Sequence, residues 1–533
     1  MFKAKRTIVI ILCLALSAGL AGCLGVDDTD PYSLVPESTG GKDIEPATGA
    51  DNVFTLNYNP KYSLNPIVAT NHSNQLVDSL VYENMLEIDS NFDAIPNIIS
   101  DWYCNDDGTT WTFNLDTTHI FHDGTQVTGK DVRYSLERAI YSDRFSGRFA
   151  SYQGCAYDDA QIVVYLGIGD TQLYKLMNIP VIKYGTYTTN REDRPPVGSG
   201  PYTFNDDMTQ LIAYEGYPGY DTLPVNTIYL AEYTTADEII TAFEDSLIDV
   251  VLNDPSSYSN LGFASINEFH SYPTTNLHYV VINHESTIGQ YANFRFAMNY
   301  AFDREYLEEL LDGYAVATPV PMYPTCSLYP TSFASTIDYD LEKCLKILNN
   351  AGIMDYDDDG KLELMNGAKD LTITFLLCSD SSAKAGIVNR FKNDMESIGI
   401  TVEVSAVSWD EYIEALEEGE FDMYYGEIKL RADFDITELF DIRTTKNEDY
   451  NINYSGCKDT AYGNYINAYL SAPESEQAAR YKALCEYLIN NGGLISIGFE
   501  KQQVVTHRGI IRGMNPNMGN PLYNFENWEI YLD

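Results

Sequence analysis

Residues 370–427, DLTITFLLCSDSSAKAGIVNRFKNDMESIGITVEVSAVSWDEYIEALEEGEFDMYYGE, alternate short apolar runs with amphipathic ones. Leu371–Leu377 reads as an apolar strand. Ala383–Ser397 sets Ile387, Phe391 and Met395 on one helical face. Thr401–Val407 reads as a second strand. Ser408 and Glu411 form a capping box for a short helix running to Glu418, and Phe421–Tyr425 reads as a third strand. Strand–helix–strand–helix–strand at this spacing predicts a parallel sheet with right-handed crossovers, hence an α/β fold. Ligands on such sheets gather beyond the carboxyl ends of the strands. The segment that follows, from Glu427 through Lys429, Arg431 and Asp433 to Asp435, places charged groups there.

Upstream, the chain mixes strands and turns. Trp111–Leu115 has the period of two expected of a half-buried strand, and Asp106-Asp107-Gly108 and Asp123-Gly124 read as turns. Thr128 and Asp131 form a T-x-x-D cap for a helix with Val132, Leu136, Ala139 and Ile140 on one face. Gly198-Ser199-Gly200 does not fit a dinucleotide fingerprint and reads as a tight turn. Ala236–Asp245 reads as a short helix.

The 533 residues supply enough apolar material for two large domains or three smaller ones. Thirty-three basic residues face 78 acidic ones, a net charge of −45. Such a surface repels phosphate backbones and argues against nucleic acid as a partner. The plainer reading of the charge is solubility; a draw on cationic ligands is the sharper one. Lys3, Lys5 and Arg6 precede a short apolar stretch that ends in Leu20-Ala21-Gly22-Cys23. This is a signal-peptide layout with cysteine at the cut. It resembles the bacterial lipobox, which implies a lipid on Cys23 and an anchor on the outer face of the cell membrane. The stretch is short for a full span. Residues 26–50, rich in Asp, Ser, Thr, Gly and Pro, read as a tether. Seven further cysteines cannot all pair. Their spacing reads as small buried apolar residues, with a disulfide or two left open.

Several stretches together resemble the peptide-binding branch of bacterial solute-binding proteins, family 5, of ABC importers. They are Ser63-Leu64-Asn65-Pro66 with Tyr82–Leu86, Pro96–Trp102, Trp111 through His122 to Ser135, Val197–Tyr202, and Phe294–Glu305. The resemblance implies a two-lobed, periplasmic-binding-protein-like fold of class II. The first lobe is expected at 51–80, 195–283 and 496–533, an added domain at 81–194 and the second lobe at 284–495. Residues 1–22 are the expected leader and 23–50 the lipidated tether. Crossings between lobes are expected near Asn283 and Ser496.

The same resemblance implies binding of di- or oligopeptides without turnover, as a monomer, with no cofactor or metal, and delivery to a membrane permease. It implies Asp433, between Ala432 and Phe434, as the holder of a peptide amine, and Trp409 as a pocket wall. Asn71, His72 and Ser73, with Tyr279 and Asn283, are further contacts. Where relatives often carry tryptophan, Leu430 stands. Arg431 beside Asp433 either pairs with it or binds a ligand carboxylate, and either would change which solute fits. Other members take nickel complexes, sugars or other small solutes.

Other motifs carry less. Asp355, Asp357, Asp359 and Gly360 open a calcium-loop pattern, but Asn366 stands at the twelfth position where a glutamate belongs. His119 and His122 sit three apart, which in a strand puts them on opposite faces. No zinc-protease, nucleophile-elbow or phosphate-loop motif is present. An exported glycosidase or peptidase is the rival class, and a receptor that lost transport is a third.

Overall fold

The computed structural model describes residues 53–187, 195–255, 267–364, 369–440 and 452–532. The leader, Cys23, the tether and Asn366 lie outside them. Among the described residues no helix is long and apolar enough to cross a membrane.

The parallel unit is present. Thr372–Cys378 pairs in parallel with Thr401–Val407 on one side and Met423–Lys429 on the other. The helices Ser382–Ser397 and Trp409–Glu418 connect them, with Ile387, Phe391 and Met395 buried. Glu411 Oε2 accepts from the Ser408 N–H at 3.1 Å, closing the predicted cap. The third strand is Met423–Lys429 rather than Phe421–Tyr425. A distant partner sets its length: Asn276–Ile282 pairs antiparallel along all of it, Asn276 opposite Lys429. The stretch from Glu427 to Lys429 is therefore strand, not the loop beyond it.

That pairing merges the unit into one sheet of eleven strands. Two long antiparallel strands, Asn267–Ile282 and Ile495–His507, form its middle. Ile495–His507 leads through Val250–Asn253 to Phe54–Asn57 and Thr227–Ala231. Asn267–Ile282 leads to the parallel unit. Each side has its own core. Phe54, Leu56, Leu211 and Val504 belong to one, and Val280, Ile373, Phe391 and Ile497 to the other. The result is a two-lobed α/β fold. A separate four-stranded sheet, built from Ile99–Cys104, Thr110–Leu115, Gln161–Leu166 and Tyr152–Tyr157, packs Trp111 and Phe113 into the first core.

The two long strands lose register where they pass between the lobes. Pro273 faces Lys501, yet Leu277 faces Phe499. Proline lacks the N–H that a central ladder needs and is tolerated at such a bulge. Side chains take over the stranded polar groups. The Thr274 hydroxyl donates to Glu500 O at 2.9 Å and the Thr275 hydroxyl to Leu430 O at 2.6 Å. Glu500, only 1% exposed, holds His278 Nε2 at 2.6 Å and accepts from Asn276 Nδ2 at 3.1 Å. The break lies within the strand, ahead of Asn283, and beyond Ser496 on the partner strand.

The glycine pair of 198–200 has a steric reason. A Cβ on Gly198 would come within 1.8 Å of Val81 O, and one on Gly200 within 2.5 Å of Leu80 O. The turn lies against the end of the helix His72–Val81, where Gly200 N donates to Val81 O at 2.9 Å. Cys326, Cys344, Cys378, Cys457 and Cys485 are buried, Cys104 and Cys155 partly so, and all seven are free thiols. His119 pairs with Glu83 and His122 with Gly200 O, so the two histidines serve separate contacts. In the 355–363 loop the carboxylates of Asp355, Asp357, Asp359 and Glu363 converge. They also cap the loop's own amides, Gly360 N on Asp355 and Tyr356 N on Glu363.

Two stability measurements follow. Glu500→Ala strips His278 and Asn276 of their buried acceptor, and urea unfolding is expected to show a loss of about 3 kcal/mol. Glu87, buried, accepts from Asn84 Nδ2 at 3.0 Å; burial foremost, then the charges of Glu83 and Glu526, pushes its carboxyl up to about 8. A folded-state pKa raised this far favours the native state below pH 4.5 and withdraws that support as pH rises to about 8. Glu87→Gln is expected to remove this decline, gaining on the order of a few kcal/mol at pH 8.5 relative to wild type and little at pH 5. Equal denaturant midpoints at both pH values would contradict it.

Candidate ligand cleft

The strand Met423–Lys429 delivers the chain into a tight turn at Arg431–Asp435. Phe434 N donates to Arg431 O at 3.0 Å, and Phe434 takes φ 56°, a left-handed conformation that costs a non-glycine residue roughly 1–2 kcal/mol. Its ring repays part of this by packing edge-on to Phe92 (5.1 Å) and Phe499 (5.7 Å). Phe92 comes from the hairpin joining Leu86–Ile88 to Ala94–Pro96, so this aromatic cluster ties the two halves together.

The turn lets one guanidinium reach two carboxylates. Arg431 Nη2 lies 2.6 Å from Asp433 Oδ2 and 2.9 Å from Asp435 Oδ2, and Nε donates to Asp433 Oδ1 at 3.1 Å. Asp433 is 1% exposed, and its Oδ1 also accepts from Asp435 N at 3.1 Å. Burial opposes the charge on Arg431, but Asp433 and Asp435 overcome it and drive its pKa up. Across the gap, Asp170 has its carboxyl pushed up by burial and then by the charge of Asp433.

Between the segments 148–173 and 431–470 lies a cavity of about 420 Å³, a size typical of small-molecule sites. Arg148, Asp170, Arg431, Asp435, Asp459 and Asn464 bring polar groups to it, with Phe149, Leu173 and Phe440 supplying apolar wall. Beside the cavity the Thr171 hydroxyl donates to Ala472 O at 2.5 Å, and Thr171 N donates to Leu470 O at 2.8 Å.

The expected contacts fare differently. Arg431 lines the cavity; Asp433 lies behind it, both oxygens engaged. Asn71 caps the helix His72–Val81, accepting from Asn74 N at 3.1 Å, and Ser73 Oγ accepts from Asn57 Nδ2 at 2.9 Å. His72 is exposed and stands within electrostatic reach of Lys429 and Arg144. Trp409 is 60% exposed at the start of its helix, ring against Tyr412 at 5.9 Å, and does not line the cavity. Its position at the helix start turns it outward, where a pocket wall was expected. Tyr279 is buried against Tyr424. Asn283 places Nδ2 on Gly419 O and Phe421 O and Oδ1 on Glu285 N, which fastens the strand end. Sequence reasoning placed Lys429 among the charged groups near the ligand side of the sheet but missed Arg144, Arg148 and Asp170. No motif marks them: Arg144 and Arg148 follow the helix Gly129–Ala139, and Asp170 falls in none of the recognised stretches.

Comparison with known proteins agrees with this architecture. The family model for bacterial extracellular solute-binding proteins, family 5 (middle region), matches residues 93–439. The oligopeptide-binding protein AppA of Bacillus subtilis is 22% identical over 459 residues, covering 79% of this chain and 80% of that one. A putative peptide-binding protein AppA from Clostridium difficile superposes with a TM-score of 0.69 at 14% identity, covering 90% of this chain and all of the other. NikZ from Campylobacter jejuni, solved with Ni(L-His), superposes with a TM-score of 0.63 at 17% identity, covering 90% of this chain and 99% of its own. With two lobes joined by paired strands, a cavity between their facing segments and a family match across most of the chain, this protein belongs to the bacterial extracellular solute-binding proteins, family 5.

Proposed function

We propose that the chain captures a peptide or peptide-like solute by closing its lobes, and hands it to the permease of an ABC importer. Cys23 carries the lipid that holds it at the outer face of the membrane. The cavity between 148–173 and 431–470 carries the reading, because it offers both Arg148 and the carboxylates of Asp170, Asp435 and Asp459. A zwitterion finds partners of both signs there. Relatives that bind oligopeptides support the same choice. No bond-making machinery is needed: closure by population shift is sufficient to retain cargo.

One observation favours a non-peptide solute as the second reading. Arg431 already neutralises Asp433, the carboxylate that the family resemblance assigns to a peptide amine. Native mass spectrometry of the purified chain, followed by denaturation and sequencing of what is released, separates the two. Peptide masses are expected; release of only a metal complex or a sugar would establish the second reading. A companion measurement tests the clamp itself. Arg431→Met leaves two enclosed carboxylates facing each other, and urea unfolding is expected to show a loss of about 3 kcal/mol.

A further inference from the structure

We propose that the cleft holds an anionic group of its solute between Arg144 and Arg148 on one side and Lys429 on the other, with His72 at the rim. The inference rests on the capture reading above and adds the charge of the cargo. Arg144 and Arg148 lie just after the helix Gly129–Ala139, Lys429 ends the strand Met423–Lys429, and His72 opens the helix His72–Val81. Three stretches far apart in the chain thus bring four basic side chains within electrostatic reach of one another.

Both guanidiniums are oriented by neutral oxygens. Arg144 Nη1 donates to Pro66 O at 2.7 Å. Arg148 Nη1 donates to Leu176 O at 3.2 Å and to the side-chain oxygen of Asn178. Such contacts fix a planar fork without cancelling its charge. Among the described residues, Arg144, Arg148 and Lys429 form no ion pair with a carboxylate. The acids in reach act from further off: Asp78 on Arg144, Asp433 on Arg148 and Asp254 on His72. Asp433 is already held by Arg431.

Arg144, Lys429 and His72 reach solvent, yet protein surrounds them closely, which is the situation of a cleft wall. Burial first, then Arg148 and Arg144, draws the Lys429 ammonium down to about 8. An isolated surface lysine would need no explanation. Here a chain with 78 acidic and only 33 basic residues has acids to spare, yet among the described residues Arg144, Arg148 and Lys429 are brought together with none of those acids in an ion pair to them. The arrangement works against the free protein and is relieved when a carboxylate or phosphate enters. Arg148 also lines the cavity, so the anion would sit at its Arg148 end and leave the remaining volume to the rest of the solute.

The test uses calorimetry on the mature chain with three probes: trialanine, trialanine amide and citrate. It compares wild type with Lys429→Met, Arg148→Met and Lys429→Arg. Expected is a tenfold or greater loss of trialanine affinity in either Met variant, recovery in Lys429→Arg, and weak amide binding that Lys429→Met does not alter. The melting temperature of ligand-free Lys429→Met should equal or exceed that of wild type, because an unpaired charge is removed. Citrate binding that depends on Lys429, with no peptide bound, upholds the anion site and overturns the peptide reading. Acid and amide bound equally well, and independently of Lys429, overturn the anion site and leave the capture reading standing. Failure of the wild type to bind any of the three probes overturns the anion site.

Discussion

Everything in this fold passes through the place where two antiparallel strands lose register and Glu500 fills the gap. Backbone groups that leave a ladder in a buried position need new partners. Thr274, Thr275, Asn276, His278 and Glu500 supply them from both strands. The ladder runs unbroken from Asn267–Pro273 with His507–Lys501, resumes at Leu277 opposite Phe499, and shifts once more between His278 and Tyr279, where Ile497 is passed over. The two shifts bracket a short segment whose polar groups are held by side chains rather than by strand pairing. A hinge made this way bends without exposing an edge that could recruit another strand.

The same segment touches the cleft. The Thr275 hydroxyl binds Leu430 O, and Leu430 N returns a bond to Thr275 O at 3.0 Å. Leu430 stands between Lys429 and Arg431. A change of angle at the register break therefore moves Lys429 at the strand end and the clamped arginine beside it. Phe434 and Phe92 add a second tie between the halves, made of aromatic contact and bought with left-handed backbone at both residues. Hinge, aromatic tie and cleft charges form one connected unit, which is what coupling of solute capture to lobe angle requires.

How much of this was legible in the sequence follows from the range of the interactions involved. The parallel unit was legible because strand and helix periods and capping boxes are local. Thr128 with Asp131 and Ser408 with Glu411 cap helices as their spacing demands. The end of the third strand was not, since Lys429 is kept in the sheet by Asn276, more than a hundred residues away. The bonds by which Asn283 fastens the strand end were hidden for the same reason: its partners Gly419 and Phe421 are distant. Trp409 carries a pocket-like residue type but sits at the exposed start of a helix. Arg144, Arg148 and Lys429 are ordinary basic residues until the fold collects them.

The charges near Asp433 explain why a family-level match leaves the cargo open. A buried carboxylate must be compensated, and whatever compensates it defines what it recognises. If the position were free, an amine from the solute would complete it. Here Arg431 completes it from within, using a turn that costs strain at Phe434, and Asp435 shares the guanidinium. The positive charge offered to a solute on the proposed reading lies elsewhere, on Arg144, Arg148 and Lys429, beside the cavity carboxylates of Asp170 and Asp459. Affinity for a charged group follows the charge that the protein leaves unpaired, not the residue that a motif marks, and this is the ground on which an anionic group is proposed for the solute.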